Sequence, residues 1–231
     1  MSSLSNKIKQ KLKLVFNKIR IKNNTKYFCI GNNKTGTTSI GQAFKDFGYV
    51  VGNQRKAELL MDDYYNDKFE TIIDYCKTAE IFQDVPFSCP NTYKHMDKAF
   101  PNSKFILTVR DNSEQWYNSL TSFHTKLFGN GTLPTWEVLK KIEYVYPGWS
   151  YNNRIKLYNL TENDNPYDKS ILTTYYNMHN QDVIDYFKDR PNDLLILNVS
   201  DKDSYQKLAK FIGVKVDKNA QFPWKNKTSQ L

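Results

Sequence analysis

The stretch KYFCIGNNKTGTTSIG, residues 26–41, constrains the fold of this 231-residue chain more than any other segment. A short apolar run ends at Gly31, and the segment after the loop, TTSIGQAFKDFG, places its apolar residues on one face of a helix. A helix that follows a strand and a glycine loop binds anions, because its first N–H groups lack carbonyl partners and its dipole is positive there. We therefore expect Gly31–Ser39 to hold a negatively charged group, with a tight turn that binds nothing as the alternative.

Strands and helices alternate along the rest of the chain. This alternation predicts an α/β fold of three layers, in which a mainly parallel central sheet is flanked by helices on both faces. Asp111 and Glu114 stand at capping-box spacing before one of the helices. The further strands are predicted at 49–51, 80–84, 104–110 and 194–199. The further helices are predicted at 68–80, 92–100, 114–128, 171–189 and 203–213.

The positive charge of the chain is concentrated at its N-terminus. The net charge is +9, but residues 1–26 hold eight of the 33 basic residues and none of the 24 acidic ones, which leaves +1 for the rest. A nearly neutral body argues against a nucleic-acid partner. We expect a basic amphipathic arm at 1–25 and a single domain at 26–231. Residues 7–22 have helical spacing, and such a helix either makes a weak contact with an anionic membrane surface or packs on its own domain.

The few cysteines and histidines show no metal or disulfide pattern. Three cysteines have no zinc-site or framework spacing, and the three histidines are widely separated. No apolar run approaches the roughly 20 residues of a membrane helix, and no signal-peptide pattern begins the chain. We expect a cytoplasmic protein, peripheral to the membrane if the arm binds lipid, with no metal site.

The position of the lysine in the glycine loop narrows the ligand. The nucleotide-triphosphatase loop reads G-x-x-x-x-G-K-[ST]. Gly31, Gly36 and Thr38 match it, but Thr37 stands where that lysine belongs, and Lys34 lies inside the loop. A lysine inside the loop lies over a shorter anionic group at the loop mouth. The spacing therefore favours another phosphate-bearing donor over a nucleoside triphosphate.

Three blocks of the chain, in order, resemble the sulfotransferase family. KTGTTSIGQAFKDFGYVV resembles its 5′-phosphosulfate loop, DVPFSCPNTYKHMDKAFPNSKFILTVRDNSEQWYNSL its second site, and LLILNVSDKDSYQKLAKFIGVKV with FPWKN its closing segment. The resemblance runs from Tyr27 to Asn226 and leaves 129–180 unmatched. It implies the sulfotransferase form of the P-loop nucleoside-triphosphatase-like fold. It also implies the donor 3′-phosphoadenosine 5′-phosphosulfate, with 3′,5′-adenosine bisphosphate as product.

The resemblance also implies which residues bind the donor. Arg110 would pair with the 3′-phosphate, since a guanidinium matches two phosphate oxygens. A serine usually stands eight residues after that arginine; here Asn118 is eight after it and Ser119 nine, and we assign Ser119. The residues expected around the 5′-phosphosulfate are Lys34, Thr35, Gly36, Thr37, Thr38 and Ser39.

Lys34 and Asp84 are the expected catalytic residues. Lys34 would neutralise the charge that grows on the departing phosphate. Asp84, in FQDVP, occupies the family's base position, where a carboxylate serves if an enclosed site raises its pKa. Asp84 has two alternative roles: a structural anchor that caps the next turn or pairs with Lys34, or a magnesium ligand of a P-loop kinase or nucleotide hydrolase. The lysine often found two residues before the base is replaced here by Phe82.

The acceptor should be bound by residues 120–180, which are rich in aromatic side chains. Such side chains suit sugars and phenols equally, and we favour a carbohydrate or other small hydroxyl acceptor because a carboxylate base suits aliphatic hydroxyls. His124 is a candidate for this pocket, while His95 and His179 are expected on the surface or a helix face. Trp224 and Lys225 are weaker candidates for adenine and phosphate contacts. A third reading is a membrane-tethered binding module without turnover.

Overall fold

The structure is a computed structural model that describes part of the chain. Two of the sequence interpretations, the amphipathic helix at 7–22 and the tail contacts of Trp224 and Lys225, lie almost entirely outside that part and stay predictions. In the part that is described, no helix has the length and apolar character needed to cross a bilayer. The described residues are 24–222 together with Ile19, Ile21 and Lys22.

A four-stranded sheet forms the centre of the molecule. Its order is β2-β1-β3-β4, and all three pairings are parallel. Parallel neighbours need a crossover connection, which explains why helices separate the strands in sequence. The strands are β1 (Tyr27–Cys29), β2 (Ile81–Gln83), β3 (Lys104–Thr108) and β4 (Leu194–Leu197).

Ten α-helices lie within residues 24–222, and they connect or flank the strands. They are α1 (Thr37–Asp46), α2 (Gln54–Glu58), α3 (Met61–Tyr65), α4 (Phe69–Tyr75), α5 (Thr92–Ala99), α6 (Ser113–Leu127), α7 (Trp136–Lys141), α8 (Trp149–Tyr158), α9 (Lys169–Phe187) and α10 (Ser204–Ile212).

Both faces of the sheet are covered. Successive side chains of a strand point to opposite faces, so Phe28 joins a core with residues of α4, α5 and α9, while Cys29 joins a second core. That second core contains Ile40 and Phe44 of α1 and Leu208 of α10. The predicted three-layer α/β fold with a parallel sheet is therefore confirmed.

A third cluster contains the region that the sequence shows only as aromatic and turn-rich. Trp116 and Leu120 of α6 pack with Leu139 of α7, Tyr167 and Tyr176. The region 129–170 thus contains two helices, α7 and α8, that the sequence analysis did not predict. We call α6, α7, α8 and the segments between them the cap.

Two local predictions were wrong. Residues 49–51 make a single bridge from Val51 to Ile81 instead of a strand, because Asn53 caps α2 two residues later and the chain leaves the sheet. The cap of α6 is Asn112, whose side chain accepts from the N–H of Gln115, rather than Asp111.

The predicted site residues follow the carboxyl ends of adjacent strands. Gly31 lies just after β1, Asp84 directly after β2, and Arg110 two residues after β3. Ligands of open parallel sheets bind at this edge, where connections leave the central strands in opposite directions. The order β2-β1-β3 brings all three strand ends together.

Candidate functional site

The loop after β1 has a shape that its glycines make possible. A Cβ on Gly31 would lie 2.2 Å from Oγ1 of Thr108, so only glycine lets β1 and β3 approach there. Gly36 has φ +104°, and a Cβ on it would lie 2.4 Å from a methyl of Val199. Lys34 also adopts a positive φ of 68°. These turns bring the chain directly into α1, whose first N–H groups have no intrahelical partner.

Thr35 holds the loop from inside. Its hydroxyl donates to the carbonyl of Asn32 at 2.5 Å and lies 2.6 Å from the hydroxyl of Thr108. Its N–H also donates to Asn32. The polar groups of Thr35 are thus engaged within the fold, whereas Thr38 is exposed at the start of α1.

Lys34 is a partly desolvated cation. Its Nζ lies 3.6 Å from the centroid of the Phe123 ring on α6. Burial, and then the charge of Arg110, lower the pKa of Lys34 to about 8, although Asp84 acts in the opposite direction. An ammonium group that has lost part of its hydration binds an incoming anion strongly.

The pKa of Asp84 is raised, whereas that of Lys34 is lowered. Burial and the charge of Glu58 raise its pKa to about 6, while a hydrogen bond from Thr37 and the charge of Lys34 lower it. The Thr37 hydroxyl donates to Oδ2 at 3.3 Å. Oδ1 is buried and has no hydrogen-bond partner among the described residues. One carboxylate oxygen is therefore held in place while the other is available to accept a proton.

Arg110 ties β3, the loop and α6 together. Its Nε donates to the carbonyl of Lys34 at 2.8 Å, and Nη2 lies 3.5 Å from Oγ of Ser119. Asn118 is exposed and donates to Glu114. Nine residues after the arginine, and not eight, is thus the position that faces it. Nearby, the indole N–H of Trp116 donates to the carbonyl of Asn33.

These residues surround one cavity of about 420 Å³. Thr35 and Ser119 are not among the residues that line it, but each contacts a neighbouring residue, Thr108 and Arg110 respectively. The opposite wall comes from α2 and the cap, including Glu58, Phe123, His124, Tyr144, Trp149 and Arg154. The predicted site residues that line it are Lys34, Gly36, Thr37, Thr38, Ser39, Asp84 and Arg110.

His124 lies in this cavity wall as a neutral hydrogen-bond donor. Nη2 of Arg154 donates to its Nδ1 at 3.0 Å, and a guanidinium has no acceptor atom, so Nδ1 carries the lone pair. Burial and the charges of Arg154 and Lys34 lower the pKa of His124 well below its usual range. Its ring proton is therefore on Nε2.

The other two histidines lie elsewhere. His95 stacks on Phe69 at 3.5 Å, beside a different and more open cavity. His179 is buried rather than on the surface, and its Nε2 donates to the carbonyl of Ile30 at the start of the glycine loop. His179 thus lies on a helix face, one of the two positions expected for it, and that face is buried because α9 packs on the sheet beneath the loop.

Glu58 is a site residue that the sequence analysis missed. It is 5 % exposed, lines the cavity, pairs with Arg55 at 3.0 Å and accepts a hydrogen bond from Tyr144 at 3.1 Å. Burial raises its pKa, and its charge in turn raises that of Asp84. Nothing in the segment QRKAELL distinguishes this glutamate from a surface one.

Phe123 and Arg154 were also missed, for different reasons. Phe123 follows Ser119 by four residues, so helical spacing alone places both on one face of α6. Arg154 has no such signal in the sequence, because α8 reaches the cavity only through tertiary packing.

The chemistry of the cavity wall fits an anionic donor. Lys34, Arg110 and the first turn of α1 give three positive groups on one side.

In residues 24–222 and the three described positions before them, no group of three or more His, Cys, Asp or Glu residues could hold a metal ion. The three cysteines, Cys29, Cys76 and Cys89, are free and buried.

A parallel α/β sheet with a glycine loop after one of its two inner strands is consistent with the P-loop-like class of nucleotide-binding folds. Residues 26–231 match a family model described as a sulfotransferase domain, Sulfotransfer_4. The chain belongs to this sulfotransferase family, whose general chemistry is sulfuryl transfer. No curated protein matches the chain significantly.

Proposed function

We propose that the protein transfers a sulfuryl group from 3′-phosphoadenosine 5′-phosphosulfate to a hydroxyl group of an acceptor, with Asp84 as the base. The observation that carries this proposal is the pair of Lys34 and Asp84 in one cavity. Burial moves their pKa values toward neutrality from opposite sides, to about 8 and about 6. Such opposed shifts in one cleft are characteristic of acid–base sites.

Donor binding is assigned to the strand-end residues. The N–H groups at the start of α1, with Gly36, Thr37, Thr38 and Ser39, hold the 5′-phosphosulfate, and Thr35 keeps the loop in shape. Lys34 neutralises the oxygen that leaves with the 5′-phosphate. Arg110 and Ser119 bind the 3′-phosphate, for which a fork-shaped cation and a hydroxyl are suited.

Asp84 takes the acceptor proton. As the hydroxyl oxygen bonds to sulfur, the bond from sulfur to the 5′-phosphate oxygen breaks, and 3′,5′-adenosine bisphosphate is released. In residues 24–222, Oδ1 of Asp84 has no hydrogen-bond partner, so it can accept that proton while Thr37 holds Oδ2. His124 is less suited to be the base, because Arg154 occupies the lone pair of its Nδ1. His124 donates from Nε2 instead.

The acceptor is assigned to the cap side of the cavity. Tyr144 and Trp149 pack at 5.4 Å between ring centroids and line the wall with Phe128. Aromatic faces with a few polar groups suit a sugar ring. A carbohydrate is therefore our preferred hydroxyl acceptor.

Thermal-shift measurements with two nucleotides test this function. A ligand at 100 times its Kd adds about 2.7 kcal/mol to the free energy of unfolding. We expect 3′,5′-adenosine bisphosphate to raise the melting temperature without magnesium, and ATP with magnesium to leave it unchanged. Arg110→Ala should abolish the shift, whereas Lys45→Ala, an exposed change on α1, should retain it.

The opposite result identifies a different protein. Stabilisation by ATP with magnesium alone would make the protein a P-loop kinase or nucleotide hydrolase with Asp84 as metal ligand. Stabilisation by the bisphosphate without transfer to any hydroxyl acceptor would make it a binding module.

A further inference from the structure

Arg154 is a buried cation without a counter-charge among the described residues. It is 4 % exposed, and no carboxylate in this part of the chain lies within 4.0 Å of its guanidinium nitrogens. It stands on α8, in the wall of the cavity that also contains the candidate catalytic groups. Buried charges are normally paired, because an unpaired one strongly destabilises the fold.

The contacts that Arg154 does make account for only part of its charge. The guanidinium carbon lies 4.2 Å from the ring centroid of Tyr167 and 5.1 Å from that of Tyr158. Nη2 donates to the neutral His124. Nη1 is buried and has no hydrogen-bond partner among the described residues, and Oγ of Ser150, also in the cavity wall, has none.

The two unpartnered groups lie on one helix at the spacing of one turn. Ser150 and Arg154 are four residues apart on α8, so their side chains share a face. The hydroxyl of Ser150 and Nη1 of Arg154 belong to residues of the cavity wall, and neither has a hydrogen-bond partner among the described residues. Together they match the donors that an oxyanion requires.

The donor has its own cations. Lys34 and Arg110 follow the strand ends. In the proposed function, Lys34 acts on the 5′-phosphate and Arg110 binds the 3′-phosphate, so neither is available for the acceptor. Arg154 lies in the cap, where we assign the acceptor. Its neighbour His124 joins the two sides, because both Arg154 and Lys34 lower its pKa.

We propose that Arg154 and Ser150 bind an acidic group of the acceptor, so that the substrate is a hydroxyl compound that also carries a carboxylate, phosphate or sulfate. This inference rests on the proposed function. It changes the preferred acceptor from a neutral sugar to an acidic one, such as a uronic acid. Acidic phenols fit the same inference. The guanidinium then has its counter-charge only in the substrate complex.

Matched pairs of probes test the inference on the whole protein saturated with 3′,5′-adenosine bisphosphate. The pairs are glucuronate against glucose, and 4-hydroxybenzoate against 4-hydroxybenzamide. Dissociation constants are measured by calorimetry. We expect the acid of at least one pair to bind about tenfold or more tightly than its neutral partner, as a charge-assisted hydrogen bond implies.

Variants of α8 assign that preference to a residue. Arg154→Gln should remove the preference for the acid, and Arg154→Lys, which keeps the charge but loses the fork, should retain part of it. Lys156→Gln is the matched control: it removes the same charge two residues away on an exposed position and should leave the preference intact. If Arg154→Gln does not fold, Arg154→Lys still reports the loss of the fork.

Three results would overturn the inference: no acid is preferred in either pair, the preference survives in Arg154→Gln, or that variant weakens bisphosphate binding as strongly as Arg110→Ala. The last would make Arg154 a donor-binding residue. A wild-type protein that does not bind the bisphosphate at all contradicts the proposed function instead. The two failures are therefore distinguishable.

Discussion

The two walls of the cavity are built differently. The donor wall comes from strand ends, and its charges interact with one another: Arg110 bonds to the carbonyl of Lys34, and the charges of Lys34 and Asp84 act on each other's pKa. The cap wall comes from helices of the third cluster, and its one buried cation, Arg154, has no charged partner among the described residues. The ionisable groups of the donor wall thus act on one another, whereas Glu58, the acidic residue of the opposite wall, pairs with Arg55 and leaves Arg154 without a counter-charge among the described residues.

Under the proposed function, the two walls bind different ligands: the donor at the strand ends and the acceptor at the cap. In the proposed function, the donor wall binds the nucleotide with groups that follow the ends of parallel strands. The cap wall has aromatic faces and the guanidinium of Arg154, which has no charged partner among the described residues. In the inference above, an acidic group of the substrate supplies that partner. The experiments below change one wall at a time, beginning with the largest expected effect.

Asp84→Asn should have the largest effect. Removal of a general base costs about 10²–10⁴ in rate, while bisphosphate binding should stay unchanged. The measurement is sulfuryl transfer beside a thermal shift with the bisphosphate. Asp67→Asn is the matched control, because Asp67 is an exposed aspartate with a similar positive φ, 54° against 59°. Full activity of Asp84→Asn would exclude the base assignment.

Lys34→Ala should come next. It removes a cation placed at the leaving oxygen, and the loss of one such group lowers kcat by about 10²–10³. The same assay with Lys45→Ala as control measures it. If only KM changes, Lys34 binds ground state and transition state equally, and its catalytic role is lost.

Asp84→Asn should also stabilise the protein. The pKa of Asp84 rises from 3.8 to about 6 on folding, so ionisation in the folded state costs on the order of 2–3 kcal/mol at pH 7.5. That cost is absent below pH 4 and grows as the pH rises through about 6. Urea melts should show the variant more stable at pH 7.5 and equal to wild type near pH 4. A less stable variant at pH 7.5 means that Asp84 anchors the fold.

Ser119→Ala should weaken bisphosphate binding by about three- to tenfold, the effect of one neutral hydrogen bond. Asn118→Ala should have no effect, because Asn118 faces solvent. Calorimetric titration of both variants measures this. A larger loss of binding in Asn118→Ala than in Ser119→Ala would assign the 3′-phosphate contact to Asn118, eight residues after Arg110.

The smallest effect is a shift in the pH profile. Transfer needs Asp84 ionised and Lys34 protonated, so kcat/KM should fall below about pH 6 and above about pH 8. Glu58→Gln removes a negative charge near Asp84 and should move the acidic limb to lower pH. An unmoved limb would mean either that Glu58 does not act on the pKa of Asp84 or that the base is another group.

Local spacing predicted the glycine loop and the layered fold, and the family resemblance pointed to Asp84 and Arg110. A strand, a glycine loop and a helix are consecutive in the chain, and Asp84 and Arg110 each follow a strand that alternation reveals. The failures were at places where neighbours decide the outcome. Val51 pairs only once because Asn53 starts a helix, and Asn112 rather than Asp111 caps α6.

Tertiary structure alone decided the cap wall. Glu58 and Arg154 sit in ordinary helical segments, and their importance comes from burial beside residues more than twenty positions away. His179 supports the glycine loop from almost 150 residues further along the chain. Periodicity reports which face of a helix is buried, but it does not report what that face meets. The end of a strand can be located from the order of the elements in the sequence. A helix of the cap acquires its chemical role only by packing against the edge of the sheet.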